Sequence, residues 1–263
     1  MTAKTVVIYG GTGAIGAATA WAFAREGHRV WLGARRLARA ERLAGAIRSE
    51  GGLAEAFQAD VLDGPAMAKA AARLAGEAGG IDTVVNATSF MHDQGKELAD
   101  LSLDEFQAGV TPYLTALFNI AQAVTPHMGG DRGGVIVTIT APAAKLAVPG
   151  HLGHIVGCAG SEAFARALAS ELGPRNIRVI CLRSHAISDA VAAGSFTAEL
   201  FAPKARAMGL GVQDWLGGAS ATTMLKRLPT LAQVAGTIAF LASDQAGAMT
   251  GSVVNLTAGF TTD

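Results

Sequence analysis

Short runs of apolar residues alternate along the chain with longer segments whose apolar residues recur at helical spacing. The short runs predict seven strands, at Thr5–Tyr9, Arg29–Gly33, Ala54–Gln58, Thr83–Asn86, Val135–Thr140, Arg178–Leu182 and Ser252–Leu256. The longer segments predict helices at Ala14–Glu26, Arg36–Glu50, Pro65–Ala78, Asp104–His127, Leu152–Leu172 and Leu231–Ser243. Strands that are apolar on both faces and separated by helices are typical of a parallel sheet covered on both sides. We therefore expect a doubly wound α/β fold of about seven strands in three layers, α/β/α.

The stretch 184–229 is the longest part of the chain without a strong pattern. It contains glycine pairs, Trp215 and short helical pieces, and we interpret it as a lobe that covers a substrate. Trp215 would either close over that substrate or fill the core of the lobe. No internal repeat or low-complexity linker divides the chain, so we expect residues 1–263 to form one domain.

Composition narrows the class of partner. Half of the 263 residues are hydrophobic, which is enough for a large core without disulfides, and 21 basic residues balance 21 acidic ones. A net charge of zero argues against a nucleic acid or an anionic membrane as partner. Two cysteines, an immediate N-terminal strand and no long apolar run predict a cytoplasmic protein with reduced thiols.

A glycine-rich turn follows the first predicted strand. Gly11, Gly13 and Gly16 satisfy the pattern G-x-G-x-x-G between a strand and a helix. Glycine at such positions permits a tight turn, a close approach of the backbone to a pyrophosphate and close packing of helix on strand. The helix then presents free N–H groups to the phosphates. This turn predicts a Rossmann-type site for a dinucleotide, formed by Gly10, Thr12, Gly13, Ala14, Ile15 and Gly16.

The end of the second strand bears on which dinucleotide binds. A carboxylate there would accept hydrogen bonds from the adenosine ribose, but this chain has Ala34 followed by Arg35 and Arg36. Two guanidinium groups suit a 2′-phosphate, so we predict NADP(H) rather than NAD(H). The alternative is that both arginines are solvated charges at the start of a helix.

The chain resembles the short-chain dehydrogenase/reductase family over nearly its whole length. The resemblance rests on the Gly10–Gly16 turn, Asp60-Val61, Val84-Val85-Asn86-Ala87, the segments 134–139 and 169–179, and Phe240–Asp244 leading to Thr250-Gly251. It implies that Asp60 and Val61 flank the adenine and that Asn86 and Ala87 run beside the cofactor ribose. The commonest branch of the family would have glycine where this chain has Ala14.

At the catalytic positions of the family, this chain has different residues. Family enzymes use a serine, a tyrosine, a lysine four residues after the tyrosine, and an asparagine on the preceding helix. Counting back from Ala169–Val179 places Ala141, His154, Cys158 and Tyr113 at these positions. The chain has no lysine between Lys145 and Lys204 and only two tyrosines, so no shift of the alignment restores the set.

His154 is the candidate proton donor of this divergent site, because an unperturbed imidazole has a pKa of about 6.5. A helix places Cys158 on the same face, and Tyr113 would approach from the neighbouring helix, with His92, His151 and His185 lining the cleft. Cys158 is alternatively a nucleophile or a core residue. His154 and Cys158 lack a third and fourth metal ligand at recognisable spacing, so we predict no metal.

Two functions remain open at this point. The first is an NADP(H)-dependent oxidoreductase for a small carbonyl, alcohol or activated alkene, with His154, Cys158 and Tyr113 at the reacting centre. The second is a non-catalytic dinucleotide-binding protein or scaffold; a lyase or isomerase that uses the same pocket is a weaker third. The resemblance also implies a homotetramer or homodimer built on the helices Asp104–His127 and Leu152–Leu172.

Overall fold

A computed structural model describes residues 3–262 of the chain, and seven parallel strands form its sheet. The strands are β1 Thr5–Tyr9, β2 Arg29–Ala34, β3 Leu53–Gln58, β4 Thr83–Asn86, β5 Gly134–Thr140, β6 Ile177–Ser184 and β7 Val253–Leu256. Their order across the sheet is β3-β2-β1-β4-β5-β6-β7. The predicted doubly wound, three-layer α/β fold is confirmed, with each predicted strand displaced by no more than two residues at either end.

Nine α-helices connect the strands within residues 3–262. They are α1 Ala14–Arg25, α2 Leu37–Ser49, α3 Gly64–Ala78, α4 Leu103–Ala108, α5 Thr111–Val124, α6 Leu152–Leu172, α7 Thr197–Ala207, α8 Val212–Ala221 and α9 Leu231–Ala242. Short 3-10 turns occupy Thr125–His127, Gly130–Arg132, Pro142–Lys145, Gly173–Arg175 and Asp244–Ala246. No helix among the described residues has both the length and the hydropathy that crossing a bilayer requires.

Successive side chains of the central strands pack alternately into two separate hydrophobic cores, one on each face of the sheet. In β1, Val6 and Ile8 pack with residues of α1, α2 and α9, whereas Val7 and Tyr9 pack with residues of α3, α5 and α6. Both sets are almost completely buried. The period of two therefore explains why these strands are apolar throughout: each of their faces is covered by helices.

The prediction of one helix over Asp104–His127 is wrong. The segment divides into α4 and α5 at Gly109 and Val110 and ends in the 3-10 turn Thr125–His127. Pro112 lies in the first turn of α5, where its missing N–H costs nothing. Gly109 packs on the backbone of α6 so closely that a Cβ there would lie 2.6 Å from the carbonyl carbon of Gly153. The break thus follows from a tertiary contact rather than from local helix propensity.

The lobe expected over 184–229 contains α7 and α8, and Ser184 is the last residue of β6. Phe201 of α7 and Trp215 of α8 face each other with ring centroids 4.4 Å apart. Trp215 thus packs against α7 within the lobe and remains half-buried.

The glycine turn provides a test of how tightly the first crossover is packed. A Cβ at Gly16 would overlap the carbonyl oxygen of Gly10, whereas Gly45 in α2 has nothing within 4 Å of such an atom. We expect Gly16→Ala to destabilise the fold by about 1–3 kcal/mol, because backbone atoms must move. Gly45→Ala should stabilise it by about 0.5–1 kcal/mol through helix propensity. Urea unfolding measures both, and equal effects of the two variants would contradict the packing described.

Candidate active site and cofactor cleft

The sheet changes its winding direction between β1 and β4, and the candidate site lies at this point. Tyr9, the last residue of β1, is paired in register with Asn86, the last residue of β4. α1, which follows β1, and α5, which follows β4, cover opposite faces of the sheet. Parallel α/β proteins bind their ligands at such a switch point, in the crevice beyond the carboxyl ends of the strands.

The glycine turn has the geometry that a pyrophosphate needs. Gly10 has φ +74°, and a Cβ there would lie 2.6 Å from the carbonyl oxygen of Ala87. Gly16 is in contact with the backbone of Gly10, whereas a Cβ at Gly13 would meet only one atom, at 3.3 Å. Gly10 and Gly16 thus bring α1 close to the strand ends, and exposed Gly13 leaves the outer side of the turn open.

The N-terminus of α1 offers hydrogen-bond donors to an anion. Gly13 is its N-cap and supplies no side-chain acceptor. The first-turn amides of Ala14, Ile15 and Gly16 have no acceptor within the helix, and the helix dipole is positive at this end. These residues, with Thr12 beside them, fit the pyrophosphate of a dinucleotide.

The remaining residues predicted to bind the cofactor lie along the same edge of the sheet. Arg35 and Arg36 follow β2 and are exposed. After β3, Asp60 accepts a hydrogen bond from Leu62 N (3.1 Å), and Val61 is buried. The Asn86 side-chain oxygen accepts hydrogen bonds from the Thr88 amide (3.1 Å) and hydroxyl (2.6 Å), and Ala87 N donates to Tyr9 O (2.9 Å).

The predicted catalytic residues come together near the start of α6. His154 and Cys158 are one turn apart, with Cys158 Sγ 3.6 Å from His154 Nδ1. The ring of Tyr113, from α5, lies 6.4 Å from that of His154. The structure thus brings together all three side chains that the sequence singled out.

His92, in the loop after β4, completes the cluster. Its ring is stacked parallel on that of His154, with centroids 3.7 Å apart and planes 5° apart. His92 Nδ1 is 3.0 Å from the Tyr113 hydroxyl, which itself donates to Phe90 O at 2.6 Å. The Tyr113 proton is therefore committed to a backbone carbonyl.

Asp93 fastens this loop to α6. Its carboxylate accepts hydrogen bonds from Gly153 N (3.1 Å) and His154 N (2.8 Å), so it caps the helix from outside. Glycine at 109, 153 and 157 makes the approach possible, since a Cβ at Gly157 would overlap Gly109 O. The stacking of His92 on His154 depends on this attachment.

A further set of polar groups extends from His92 to the lobe. Gln94 Nε2 is 2.9 Å from His92 Nε2, and Gln94 Oε1 is 3.2 Å from His151 Nε2. Lys204 Nζ, from α7, is 3.1 Å from the same His151 nitrogen. His185, also expected in the cleft, instead packs on Phe260 with ring centroids 4.3 Å apart.

Burial sets the charge states of the cluster. Burial and, to a smaller extent, the neighbouring His92 and His151 lower the pKa of His154 to about 3. Burial also lowers the pKa of His92 and raises those of Tyr113 and Cys158. At neutral pH the cluster therefore holds neutral imidazoles, a phenol and a thiol.

This corrects the premise that His154 has an ordinary imidazole pKa. A neutral imidazole can donate a hydrogen bond through its N–H but is a much weaker acid than an imidazolium. The raised pKa of the Cys158 thiol also removes support from the alternative in which it is a nucleophile.

A buried ion pair anchors α6 to the sheet below the cluster. Arg183 near the end of β6 donates to both carboxylate oxygens of Glu162, at 2.8 and 2.9 Å. Both side chains are at most 5% exposed. Glu162 is one turn beyond Cys158, so the pair fixes the helix face that carries His154 and Cys158.

Comparison with known proteins identifies the family. A family model described as enoyl-(acyl carrier protein) reductase matches residues 11–261. The chain belongs to the short-chain dehydrogenase/reductase family. It is 28% identical to the D-threitol dehydrogenase of Mycolicibacterium smegmatis, over 98% of this chain and 93% of that protein. It is 27% identical to a 3-oxoacyl-(acyl-carrier-protein) reductase of Staphylococcus epidermidis, over 97% and 98%.

Solved structures share the fold over nearly the whole chain. A dehydrogenase/reductase from Sinorhizobium meliloti has a TM-score of 0.82 and 25% identity, over 100% of this chain and 96% of that one. A short-chain type dehydrogenase/reductase from Mycobacterium marinum has a TM-score of 0.79 and 26% identity, over 99% and 96%. An NAD⁺-bound xylitol dehydrogenase, at 22% identity and a TM-score of 0.84 over 97% and 98%, shows likeness of fold alone.

Sequence reasoning missed Asp93, Gln94, Lys204 and the Arg183–Glu162 pair. The first two lie in a loop without periodicity, and Lys204 is more than fifty residues from the start of α6. The one available signal was a pair of opposite charges, with Glu162 inside a predicted helix and Arg183 directly after a predicted strand.

The lowered pKa values predict how stability depends on pH. An unfolded histidine titrates near pH 6.5, whereas folded His154 stays neutral down to about pH 3. The unfolded state therefore binds more protons between these values, and stability falls as the pH falls from 6.5 towards 4. We expect His154→Gln to reduce the slope of the unfolding free energy by up to one proton, roughly 1.4 kcal/mol per pH unit.

Urea unfolding across pH 4–8.5 measures this slope, to which His92 and His185 also contribute through lowered pKa values. Above about pH 7.5 the wild-type and variant slopes should converge, because the imidazoles are neutral in both states. A His154 ring resonance that titrates near pH 6.5 would contradict the account.

Proposed function

We propose that the protein is an NADP(H)-dependent oxidoreductase with an atypical active site. The reaction is hydride transfer to or from a small carbonyl, alcohol or activated alkene. The observation that carries the proposal is the turn at Gly10–Gly16, which leaves the α1 amides open to a pyrophosphate at the switch point of the sheet. The relatives named as dehydrogenases and reductases support the same chemistry.

The preference for NADP(H) rests on Arg35 and Arg36. Both are exposed directly after β2, where the adenosine ribose of a dinucleotide lies in Rossmann folds, and neither has a carboxylate within 4.0 Å among residues 3–262. Guanidinium groups recognise phosphate oxygens by paired hydrogen bonds. One of the proteins with a similar fold is an NAD⁺-bound enzyme. The proposed preference for NADP(H) therefore depends on these arginines and not on the fold.

The active site is atypical because Ala141, His154, Cys158 and Tyr113 stand where the family has serine, tyrosine, lysine and asparagine. When bound, the cofactor supplies or accepts the hydride. A neutral His154 N–H would orient the substrate oxygen, and Tyr113, held by Phe90 and His92, would support the ring stack. The lobe 184–229, whose Lys204 contacts His151, would cover the substrate and exclude water.

A second candidate function is a non-catalytic dinucleotide-binding protein or scaffold subunit. The observation that favours it is the lowered pKa of His154, about 3, which leaves no strong acid among His154, Cys158 and Tyr113 at neutral pH.

We also propose a homotetramer or homodimer through α4–α5 and α6, where Phe118, Leu152 and Val156 are 40–52% exposed. Sedimentation as a monomer at micromolar concentration would contradict this assembly.

Cofactor binding tests the proposal first. We expect the protein to bind NADPH more tightly than NADH, and Arg35→Asp to weaken NADPH binding at least about tenfold, because a charged contact to phosphate is lost. Fluorescence titration of the reduced cofactors measures both affinities. Arg42→Asp, which makes the same charge change on exposed α2, is the matched control and should leave NADPH affinity nearly unchanged. Failure of the wild-type protein to bind either cofactor would contradict the proposal.

Turnover separates the two candidate functions. For a carbonyl substrate found by screening with NADPH, we expect His154→Ala to lower kcat about 10²- to 10³-fold, the usual cost of removing a hydrogen-bond donor to the reacting oxygen. His127→Ala, in the 3-10 turn after α5, serves as control and should retain activity. Absorbance at the nicotinamide band follows the reaction. Binding of NADPH without oxidation by any carbonyl tested would favour the non-catalytic function.

A further inference from the structure

The polar groups at the mouth of the site include one more hydrogen-bond donor than they can satisfy. His151 Nδ1 is 2.9 Å from Pro149 O, and a carbonyl only accepts, so this nitrogen carries a proton. His151 Nε2 then faces both Gln94 Oε1 at 3.2 Å and Lys204 Nζ at 3.1 Å. The carbonyl oxygen of Gln94 requires a proton on Nε2, whereas the ammonium requires a lone pair there. One nitrogen cannot provide both.

With Lys204 as an ammonium, each assignment of protons to the two histidines leaves a conflict. A doubly protonated His151 would be an imidazolium facing an ammonium at 3.1 Å. A neutral His151 would turn its lone pair towards the Gln94 oxygen. Rotating the Gln94 amide removes that clash but makes His92 Nε2 a donor, although His92 Nδ1 already faces Phe90 O at 3.1 Å as a donor. His92 would then be an imidazolium, which its burial opposes.

No carboxylate compensates these groups. Within residues 3–262, no Asp or Glu oxygen lies within 4.0 Å of a nitrogen of Lys204, His151 or His92. Asp93 is nearby in sequence, but its carboxylate is buried and is bound by two backbone amides of α6. Lys204 is half-buried, and its burial lowers the ammonium pKa, so an unpaired charge there is unfavourable.

Lys204 places the missing hydrogen-bond acceptor between the lobe and the start of α6. It extends from α7 of the lobe to His151, the N-cap residue of the helix that carries His154 and Cys158. Lys204, His151 and Gln94 are all partly accessible, so a ligand can reach them from solvent. The hydrogen-bonded path Lys204–His151–Gln94–His92 ends at the ring stacked on His154.

We propose that this cluster is the binding site for an anionic group of the substrate, a carboxylate or a phosphate, whose oxygens accept hydrogen bonds from Lys204 and His151. The inference rests on the proposed function and names its substrate class: a small carbonyl or alcohol that carries a negative charge at the end remote from the reacting carbon. The anion supplies the missing acceptor, lets both His151 nitrogens remain donors and holds the lobe against α6. Lys204 is then a specificity-determining residue supplied by the lobe.

Direct titration with simple oxyanions tests the site without knowledge of the substrate. The probes are sodium acetate and sodium phosphate, added at constant ionic strength against sodium chloride to protein labelled with ¹³C-histidine. We expect a saturable shift of the His151 ring resonances with at least one oxyanion, in the low millimolar range, and no matching shift of His28 at the opposite end of the strands. His151→Gln assigns the resonance. Saturation by acetate only, or by phosphate only, identifies which oxyanion the substrate carries.

Lys204→Gln should weaken this binding at least about tenfold. Lys69→Gln, which removes the same charge from exposed α3, is the matched control and should bind like the wild type. If Lys204→Gln proves unstable, Lys204→Arg, which keeps the charge, should retain oxyanion binding. Equal weakening in the Lys204→Gln and Lys69→Gln variants, or shifts no larger than those in chloride up to 100 mM (about ten times the expected range), would overturn the proposal.

A parallel NADPH titration keeps this inference distinct from the proposed function. Oxyanion binding without NADPH binding would support the anion site and contradict the oxidoreductase. NADPH binding without oxyanion binding, in the free protein and in the NADPH complex, would overturn the anion site and leave the oxidoreductase standing.

Discussion

The backbone of α6 lies directly against the joint between α4 and α5, and the candidate site depends on this contact. Glycine at 109, 153 and 157 leaves no side chain between the two backbones. The same joint ends α4 and forces a new helix to begin at Thr111, which directs Tyr113 towards α6. Asp93 then caps α6 and holds the loop that carries His92. Without this approach neither the imidazole stack nor the thiol beside it would exist.

The electrostatics of the site follow from that close packing. Burial keeps His92 and His154 neutral and Cys158 and Tyr113 protonated, so these four side chains carry no charge at neutral pH. The positive charge lies instead at two outer places: Arg35 and Arg36 at the adenosine end and Lys204 at the mouth. A ligand with phosphates at one end and a substrate with an anionic group at the other would each meet a matching charge. In the proposed reaction, hydride transfer would take place in the region between these two ends.

Much of the fold and the cofactor cleft could be predicted from the sequence, because both rest on local patterns. Apolar runs such as Thr5–Tyr9 and Thr83–Asn86 are fully buried strands, and the glycine turn is recognisable from spacing between a strand and a helix. The break at Gly109 was missed because it arises from contact with Gly153 of α6, which lies 44 residues further along the chain. The lowered pKa of His154 and the contact of Lys204 with His151 depend on burial and on the lobe, which no local pattern encodes.

The central claim is that the cleft at the Gly10–Gly16 turn holds a nicotinamide dinucleotide whose reactive end lies beside the His154 cluster. A crystal structure of the protein with NADP⁺ tests it most directly. The account predicts the pyrophosphate on the amides of Ala14 and Ile15, the 2′-phosphate on Arg35, and the nicotinamide close to His154, with room for a substrate atom about 3–3.5 Å from its reactive carbon. A cofactor bound elsewhere, or a nicotinamide directed away from His154 and Tyr113, would contradict it.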